Sequence, residues 1–302
     1  MSQTDSLKVK LRQAGCLFSC EEPMSRHTSF HIGGPAEFFI TPASETQVMQ
    51  ALSLCRAASI PVYVVGNGSN LLVADEGLRG AVIAFSQPMG GIARQGNMLS
   101  AQAGVTLSQL CRFAQREGLG GLEFAYGIPG SVGGAVYMNA GAYGGEIKDV
   151  AASIRVLDQA AGCFVTIPAE QAGFAYRSSR FQAEGQIVCS ADFKLASDTP
   201  ETIETRMKDI MSQRVAKQPL EFPSAGSAFK RPAGAYAAAL IEECGLKGFS
   251  VGGAQVSTKH AGFVINTGGA TCRDVLALLE AVKNEVFRRT GVMLEPEIKY
   301  LA

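Results

Sequence analysis

Between Gly127 and Gly145 the chain reads GIPGSVGGAVYMNAGAYGG, seven glycines in nineteen residues with no charged side chain among them. Glycine admits φ > 0 and lets the backbone come close to a neighbour, so consecutive amide N–H groups can line up as a concave anion nest. With no charges alongside, an anion there must be held by backbone donors, which suits the pyrophosphate inside a nucleotide cofactor. Ordering such a run costs much chain entropy, and no packing gain is evident from the sequence. A ligand is expected there rather than a plain cluster of turns.

A shorter glycine loop, first in chain order, sharpens this reading. Ile60–Val65 is a buried-strand pattern that runs into Gly66-Asn67-Gly68-Ser69-Asn70 and then the apolar Leu71-Leu72-Val73. The order is strand, tight turn, apolar run. Neither the dinucleotide fingerprint G-x-G-x-x-G opening a helix nor the phosphate-loop pattern G-x-x-x-x-G-K-[ST] is present. Alone, the pentapeptide fits an ordinary hairpin turn as well as a phosphate site. Two such loops, each following apolar strands, are harder to explain without a ligand.

The 302 residues are 47% hydrophobic and 18% charged, which suits two compact domains or three small ones. Lys plus Arg equals Asp plus Glu, at 27 each, so no global field draws the chain to nucleic acid or an anionic membrane. Residues 1–10 lack the apolar core of a signal peptide, and no apolar run approaches the ~20 residues of a membrane span. The eight dispersed cysteines read as reduced thiols. Cys16 and Cys20 lack a second close pair, and His27 and His31 have no ligand partners, so no metal site is expected. The chain reads as cytoplasmic.

Periodicity predicts a helix and approach segment over residues 1 to about 25, a strand at Glu37–Ile40, and a helix from Ser44 to about Ser59 using Val48, Met49, Leu52 and Cys55. Further helices are predicted at 105–118, 200–217, 233–244 and 270–290. Strands are predicted at 153–157, 163–167, 186–189, 254–256, 263–266 and 297–301. Pro219, Pro223 and Pro232 mark a domain junction.

Three segments could carry chemistry. Arg177 beside Tyr176 could hold a carboxylate bidentately, although surface arginines are common. Ser227 in Ala225-Gly226-Ser227-Ala228-Phe229 lacks the second glycine of a hydrolase elbow, so acyl transfer is not supported. Glu295-Pro296-Glu297 leads into the last strand. From the residues alone the reading stops at a protein that binds a nucleotide cofactor.

Taken in order, Gly66–Asn70, Gly127–Gly145, Tyr176-Arg177-x-Ser179, Pro223-Ser224-Ala225-Gly226-Ser227-x-Phe229-Lys230-Arg231-Pro232 and Glu295-Pro296-Glu297-Ile298 resemble the UDP-N-acetylenolpyruvoylglucosamine reductase family, in its shorter subtype. The similarity runs from about His27 to Leu301. It implies an α+β chain with the FAD-binding fold of vanillyl-alcohol-type oxidases (the PCMH type). The two flavin subdomains would be residues 1–84 and 85–217, with the 292–302 strand returning near the first. An α+β substrate-binding domain would occupy 218–302.

The resemblance implies flavin contacts from Asn67, Gly68, Ser69, Asn70, Gly127, Pro129, Gly130, Ser131, Gly133, Gly134 and Asn139. Ser69 stands where relatives on the wider fold tether flavin through histidine, so the FAD is expected to be non-covalent. NADPH would reduce the flavin, and N5 would pass hydride to the vinyl carbon of the enolpyruvyl ether of UDP-N-acetylglucosamine. Arg177 and Glu297 match residues that stabilise the resulting enolate, and Ser227 matches its proton donor. Tyr176, Arg214, Gln218, Lys230, Lys259 and His260 are candidates for the sugar nucleotide. His31 departs from the family, many members of which carry Arg there. Small molecules are the expected partners, and the expected state is a monomer or weak dimer. Two rivals are an oxygen-using flavoenzyme on the same fold and a nucleotide-sensing regulator that has lost chemistry.

Overall fold

The structure, a computed structural model, describes residues 3–302, so the first two residues of the expected N-terminal helix and domain lie outside it. The chain divides into two compact units. One comprises the segments up to Ser19, Phe38–Asn67 and Gly80–Ser212, and the other Cys20–Glu37, Gly68–Arg79 and Gln213–Ala302. One of the points at which the chain passes from one unit to the other falls inside the first glycine loop, after Asn67.

Helix α1 (Gln3–Gln13) forms the helical part of the expected N-terminal helix and approach segment. Gly15 turns left-handed at φ +68°, and the Cys16 N–H donates back to the Leu11 carbonyl at 3.0 Å. Strand β1 (Leu17–Pro23) follows. It is half-exposed or exposed throughout and shows no clean alternation, which is why the sequence concealed it. Next come β2 (Pro35–Thr41), α2 (Glu45–Ala57), β3 (Val62–Val65), β4 (Leu71–Val73) and β5 (Leu78–Ala84). The first sheet has the order β1-β2-β5-β3, with β3 and β5 parallel. Ser44 caps α2 by accepting from the Gln47 N–H at 3.2 Å. The helix buries Val48, Ala51 and Cys55, whereas Met49 turns outward.

The rest of the first unit is built on an antiparallel sheet. Its strands are β6 (Ile92–Gln95), β7 (Met98–Gln102), β8 (Ala151–Asp158), β9 (Cys163–Pro168) and β10 (Ile187–Lys194), in the order β9-β8-β10-β7-β6. With it stand α3 (Leu107–Arg116), the short α4 (Val132–Tyr137) and α5 (Pro200–Lys217). Leu110, Val132, Val136, Ile154, Phe181 and Phe193 meet in its core. The long glycine run does bring a packing gain, contrary to the sequence reading. A Cβ on Gly133 would stand 2.8 Å from that of Ala103, and one on Gly145 would stand 2.7 Å from the Phe124 ring. Part of the glycine content thus answers to close packing rather than to a ligand.

The second unit contains β11 (Ser224–Ser227), α6 (Ala237–Glu243), β12 (Ser250–Val251), β13 (Ala254–Val256), β14 (Phe263–Asn266), α7 (Cys272–Thr290) and β15 (Lys299–Leu301). Its sheet order is β11-β14-β13-β12, and β15 pairs in parallel with β4, Tyr300 opposite Leu72. The core collects Leu72, Phe229, Ile241, Val264, Leu278 and Val282. Helix α7 is closed at its start by a distant residue. Asp75 accepts from the N–H groups of Cys272 (2.7 Å) and Arg273 (3.1 Å), and Thr271 Oγ1 accepts from that of Asp274 (3.0 Å). Three N-terminal donors that the helix cannot satisfy internally are thereby paired, and a carboxylate faces the positive end of the dipole.

All eight cysteines are unbridged, and only Cys20 and Cys163 are exposed. Burial pushes the thiols of Cys111, Cys189 and Cys272 up to about 12 and that of Cys55 up to about 11. Among the described residues no helix is long and apolar enough to cross a membrane.

Two outcomes follow. Asp75→Ala should lower unfolding stability by about 1–2 kcal/mol, the range for losing a helix cap, read as a lower urea midpoint at unchanged slope. An unchanged midpoint would show that water replaces the carboxylate at no cost. A thiol-specific chromogenic reagent should modify Cys20 and Cys163 quickly and the other six only after denaturant is added. Fast modification of a third thiol in native protein would contradict the burial described.

Candidate active site

The first glycine loop is held almost entirely through its acceptors. The Ser29 N–H donates to the Gly68 carbonyl (3.3 Å) and the Lys299 N–H to that of Asn70 (2.9 Å). Among the described residues, the N–H groups of Asn67, Gly68, Ser69 and Asn70 donate to no backbone or side-chain acceptor. Gly68 sits at φ +62°, and a Cβ there would overlap the His27 carbonyl, so no larger residue fits that bend. The result is a rigid turn with its donors left over for something else.

The second loop follows the same rule. The Leu107 N–H donates to the Gly130 carbonyl (2.9 Å), and Asn67 Nδ2 donates to the Pro129 carbonyl (2.6 Å), joining the start of one loop to the other. The N–H groups of Gly130 and Ser131 make no backbone hydrogen bond among the described residues, whereas those of Val132 and Gly133 are used internally. Ser131 is buried, and its Oγ accepts from the Gly134 N–H at 3.5 Å. Unpaired amides on half-exposed loops need an acceptor from outside the protein, and a dinucleotide's pyrophosphate offers several. The residues present fit FAD on that ground.

Asn139 behaves differently. It is fully buried, with Nδ2 donating to Glu146 Oε2 (2.7 Å) and the Ala175 carbonyl (3.1 Å) and Oδ1 accepting from the Lys148 N–H (3.0 Å). The side chain is taken up within the protein. Ala175 opens the turn that carries Arg177, which takes φ +53° between reciprocal hydrogen bonds of Ala175 and Ser178. Arg177 Nη1 donates to the Gly141 carbonyl at 3.3 Å, and the guanidinium lies 5.2 Å from the centre of the Tyr176 ring.

Ser227 and Glu297 are close neighbours in the second unit. Gly226 at φ +76° sits in a register shift between Ser224 and Ser227, a bulge that re-aims the following side chain, and Ser227 is exposed. The Glu297 N–H donates to the Ala228 carbonyl at 2.8 Å, and Phe229 pairs with Pro296 in an isolated bridge. Both residues are tied to the first glycine loop. Ser29, whose N–H holds Gly68, also donates from Oγ to the Ser224 carbonyl (2.7 Å), and Asn70 Nδ2 donates to the Glu297 carbonyl (3.2 Å).

The sugar-nucleotide candidates have mixed surroundings. Arg214 is 5% exposed and donates to Gln218 Oε1 at 3.3 Å. Lys230 pairs with Glu295 at 3.1 Å. Lys259 donates to the Val215 carbonyl at 2.7 Å with Glu221 at 3.7 Å. His260 Nδ1 accepts from the Gly262 N–H (3.1 Å), and burial lowers its pKa, so the ring stays neutral near pH 7. His31, the family departure, is exposed at φ +57°. Tyr176 is half exposed. Sequence reasoning missed Ser29 and the structural roles of Asn70 and Asn139. Their partners lie up to 227 residues away, beyond any local pattern.

Comparison with known proteins bears on these features together. A family model described as UDP-N-acetylenolpyruvoylglucosamine reductase, C-terminal domain, matches residues 218–301, and one described as FAD binding domain matches 36–167. The chain is 52% identical over 281 residues to the UDP-N-acetylenolpyruvoylglucosamine reductase of Clostridium botulinum strain Okra, spanning 93% of this chain and 91% of that one. It is 45% identical to that of Clostridioides difficile strain 630, spanning 93% and 92%. The crystal structure of the reductase from Thermus caldophilus matches with a TM-score of 0.82 at 36% identity, over 95% of this chain and 99% of that one. Physcomitrella patens BBE-like 1, at 16% identity and a TM-score of 0.51 over 63% and 44%, shares the FAD-binding fold alone. Two donor-open loops, the matched domains and identity over nearly the full length lead to one conclusion: the chain belongs to the UDP-N-acetylenolpyruvoylglucosamine reductase family of flavin-dependent oxidoreductases.

Proposed function

We propose that the chain reduces UDP-N-acetylglucosamine enolpyruvate to UDP-N-acetylmuramate with NADPH as reductant. It would act in the cytoplasm as a monomer or weak dimer, supplying peptidoglycan precursor synthesis. In this reading residues 1–84 and 85–217 serve the flavin and 218–302 the sugar nucleotide. FAD, bound non-covalently on the amides of Asn67–Asn70 and Gly130–Ser131, supplies the hydride that NADPH has delivered. Arg177 and Glu297, the latter in its protonated form so that it can donate, hold the substrate carboxylate as negative charge builds on it, where fixed donors act most strongly. Ser227 gives its hydroxyl proton to the carbon bearing the ether oxygen. A serine hydroxyl is a weak acid, but a carbanion is a far stronger base than the alkoxide left behind, so the transfer runs downhill.

The observation that carries this reading is the coupling inside the second unit. The donor-open loop is fastened to the strand of Ser227 by Ser29 and to the backbone of Glu297 by Asn70. A cofactor loop rigidly linked to a proton donor and a carboxylate is what a reduction–protonation step needs. An oxygen-using oxidase would have no use for that linkage.

Ser227→Ala should leave reduction of the bound flavin by NADPH within about threefold of wild type. It should slow reoxidation by the enolpyruvyl substrate by about 10²–10⁴, the range for a general acid, as followed by flavin absorbance in rapid mixing. Equal slowing of both half-reactions would refute the proton-donor role. Acid precipitation should release all yellow colour to the supernatant, and colour retained on the pellet would contradict non-covalent binding at Ser69.

A further inference from the structure

Arg177 occupies a place its own backbone disfavours. In the turn Ala175-Tyr176-Arg177-Ser178 it is the third residue, at φ +53°, where glycine or asparagine is at home and other residues lose about 1 kcal/mol or more. Such a conformation persists only where its surroundings over-determine it. The surroundings can be named. The Ser178 N–H closes the turn on the Ala175 carbonyl (3.1 Å), and Asn139 Nδ2 donates to that same carbonyl (3.1 Å). Gln182 Nε2 donates to the Arg177 carbonyl (3.2 Å) and to that of Tyr137 (2.8 Å), which also accepts from Ser179 Oγ (2.7 Å). Every strut runs back to the end of α4 or the residues just after it.

Asn139 is the part of this set with no local reason to be there. It is fully buried and itself at φ +42°, with its amide aimed at the turn and at Glu146. Glu146 in turn pairs with Lys148 and shares a capping box with Asp149: its side chain accepts from the Asp149 N–H, and its own N–H donates to Asp149 Oδ2 (2.9 Å). Both amide protons are in use, so none is left for a cofactor. We propose that Asn139 is a positioning residue for Arg177: it fixes the Arg177 turn to the part of the second glycine segment that follows α4. Arg177 then meets the substrate carboxylate without a search through turn conformers. The inference rests on the catalytic reading of Arg177 given above. A displacement of about 1 Å at such a group can cost on the order of 10²-fold in rate.

The test uses the full-length, FAD-loaded protein and four forms: wild type, Asn139→Gly, Arg177→Ala and the double variant. Glycine keeps φ > 0 free of strain, so only the amide is removed. Asn139→Gly should slow flavin reoxidation by the enolpyruvyl substrate about 10- to 100-fold, with little change in reduction by NADPH. In the Arg177→Ala background the same change should add no further loss. Amide hydrogen exchange, measured with and without FAD, should rise in residues 175–179 and at residues 146–148, where the Lys148 N–H loses its acceptor, and not elsewhere in the first unit. Multiplying losses in the double variant, unchanged exchange at 175–179, or equal slowing of both half-reactions with weakened FAD binding would overturn the proposal. If Arg177→Ala itself reoxidises normally, the catalytic reading of Arg177 fails, while the exchange arm still reports whether Asn139 holds the turn. Should Asn139→Gly not fold, Asn139→Asp gives the same readings, being of equal size and also tolerant of φ > 0.

Discussion

A loop that must offer its N–H groups to a ligand cannot use them to hold itself in place. That constraint organises both glycine segments. Each is fixed by its carbonyls, which accept from Ser29, Lys299, Leu107 and the side chain of Asn67, while the donors stay open. Secondary structure consumes donors and acceptors together, so neither loop can be a strand or a long helix. The anchoring groups must come from elsewhere, and they arrive from distant segments. On the function proposed above, a pyrophosphate would meet donors already in place, with little reorganisation left to oppose binding.

The two units solve the same problem with different materials. In the second unit one serine and one asparagine connect the first glycine loop to the strand of Ser227 and to the backbone of Glu297. In the first, the connection to Arg177 passes through a buried amide and a turn in a disfavoured conformation. Ser29 and Asn70 sit on the loops they stabilise or beside them. Asn139 reaches across 36 residues of sequence to the carbonyl that opens the Arg177 turn.

Much of this was legible from the sequence, for reasons that differ by residue. Helices α2, α3, α5 and α7 and the central strands follow apolar periods that burial enforces, so their positions could be read directly. The glycine loops were visible because no other residue type tolerates their bends, as Gly68 against the His27 carbonyl illustrates. Strand β1 was not visible, since an exposed strand carries no burial pattern. The purpose of individual glycines was blurred, because the close approach of Ala103 and Phe124 by itself requires Gly133 and Gly145 to be small. Asn139 shows the deepest limit. A sequence pattern identifies that an amide belongs near a site, but the direction in which its two protons point depends on Ala175 and Glu146, and only folding brings these to it.

The pairing of β15 with β4 has a consequence for folding. Asn70 is fixed by Glu297 and Lys299, more than two hundred residues along the chain. Closing so long a loop carries a high entropic cost before its contacts repay it. The first glycine loop therefore reaches its final backbone only once residues 297–301 have docked, which sets its ordering among the non-local events of folding.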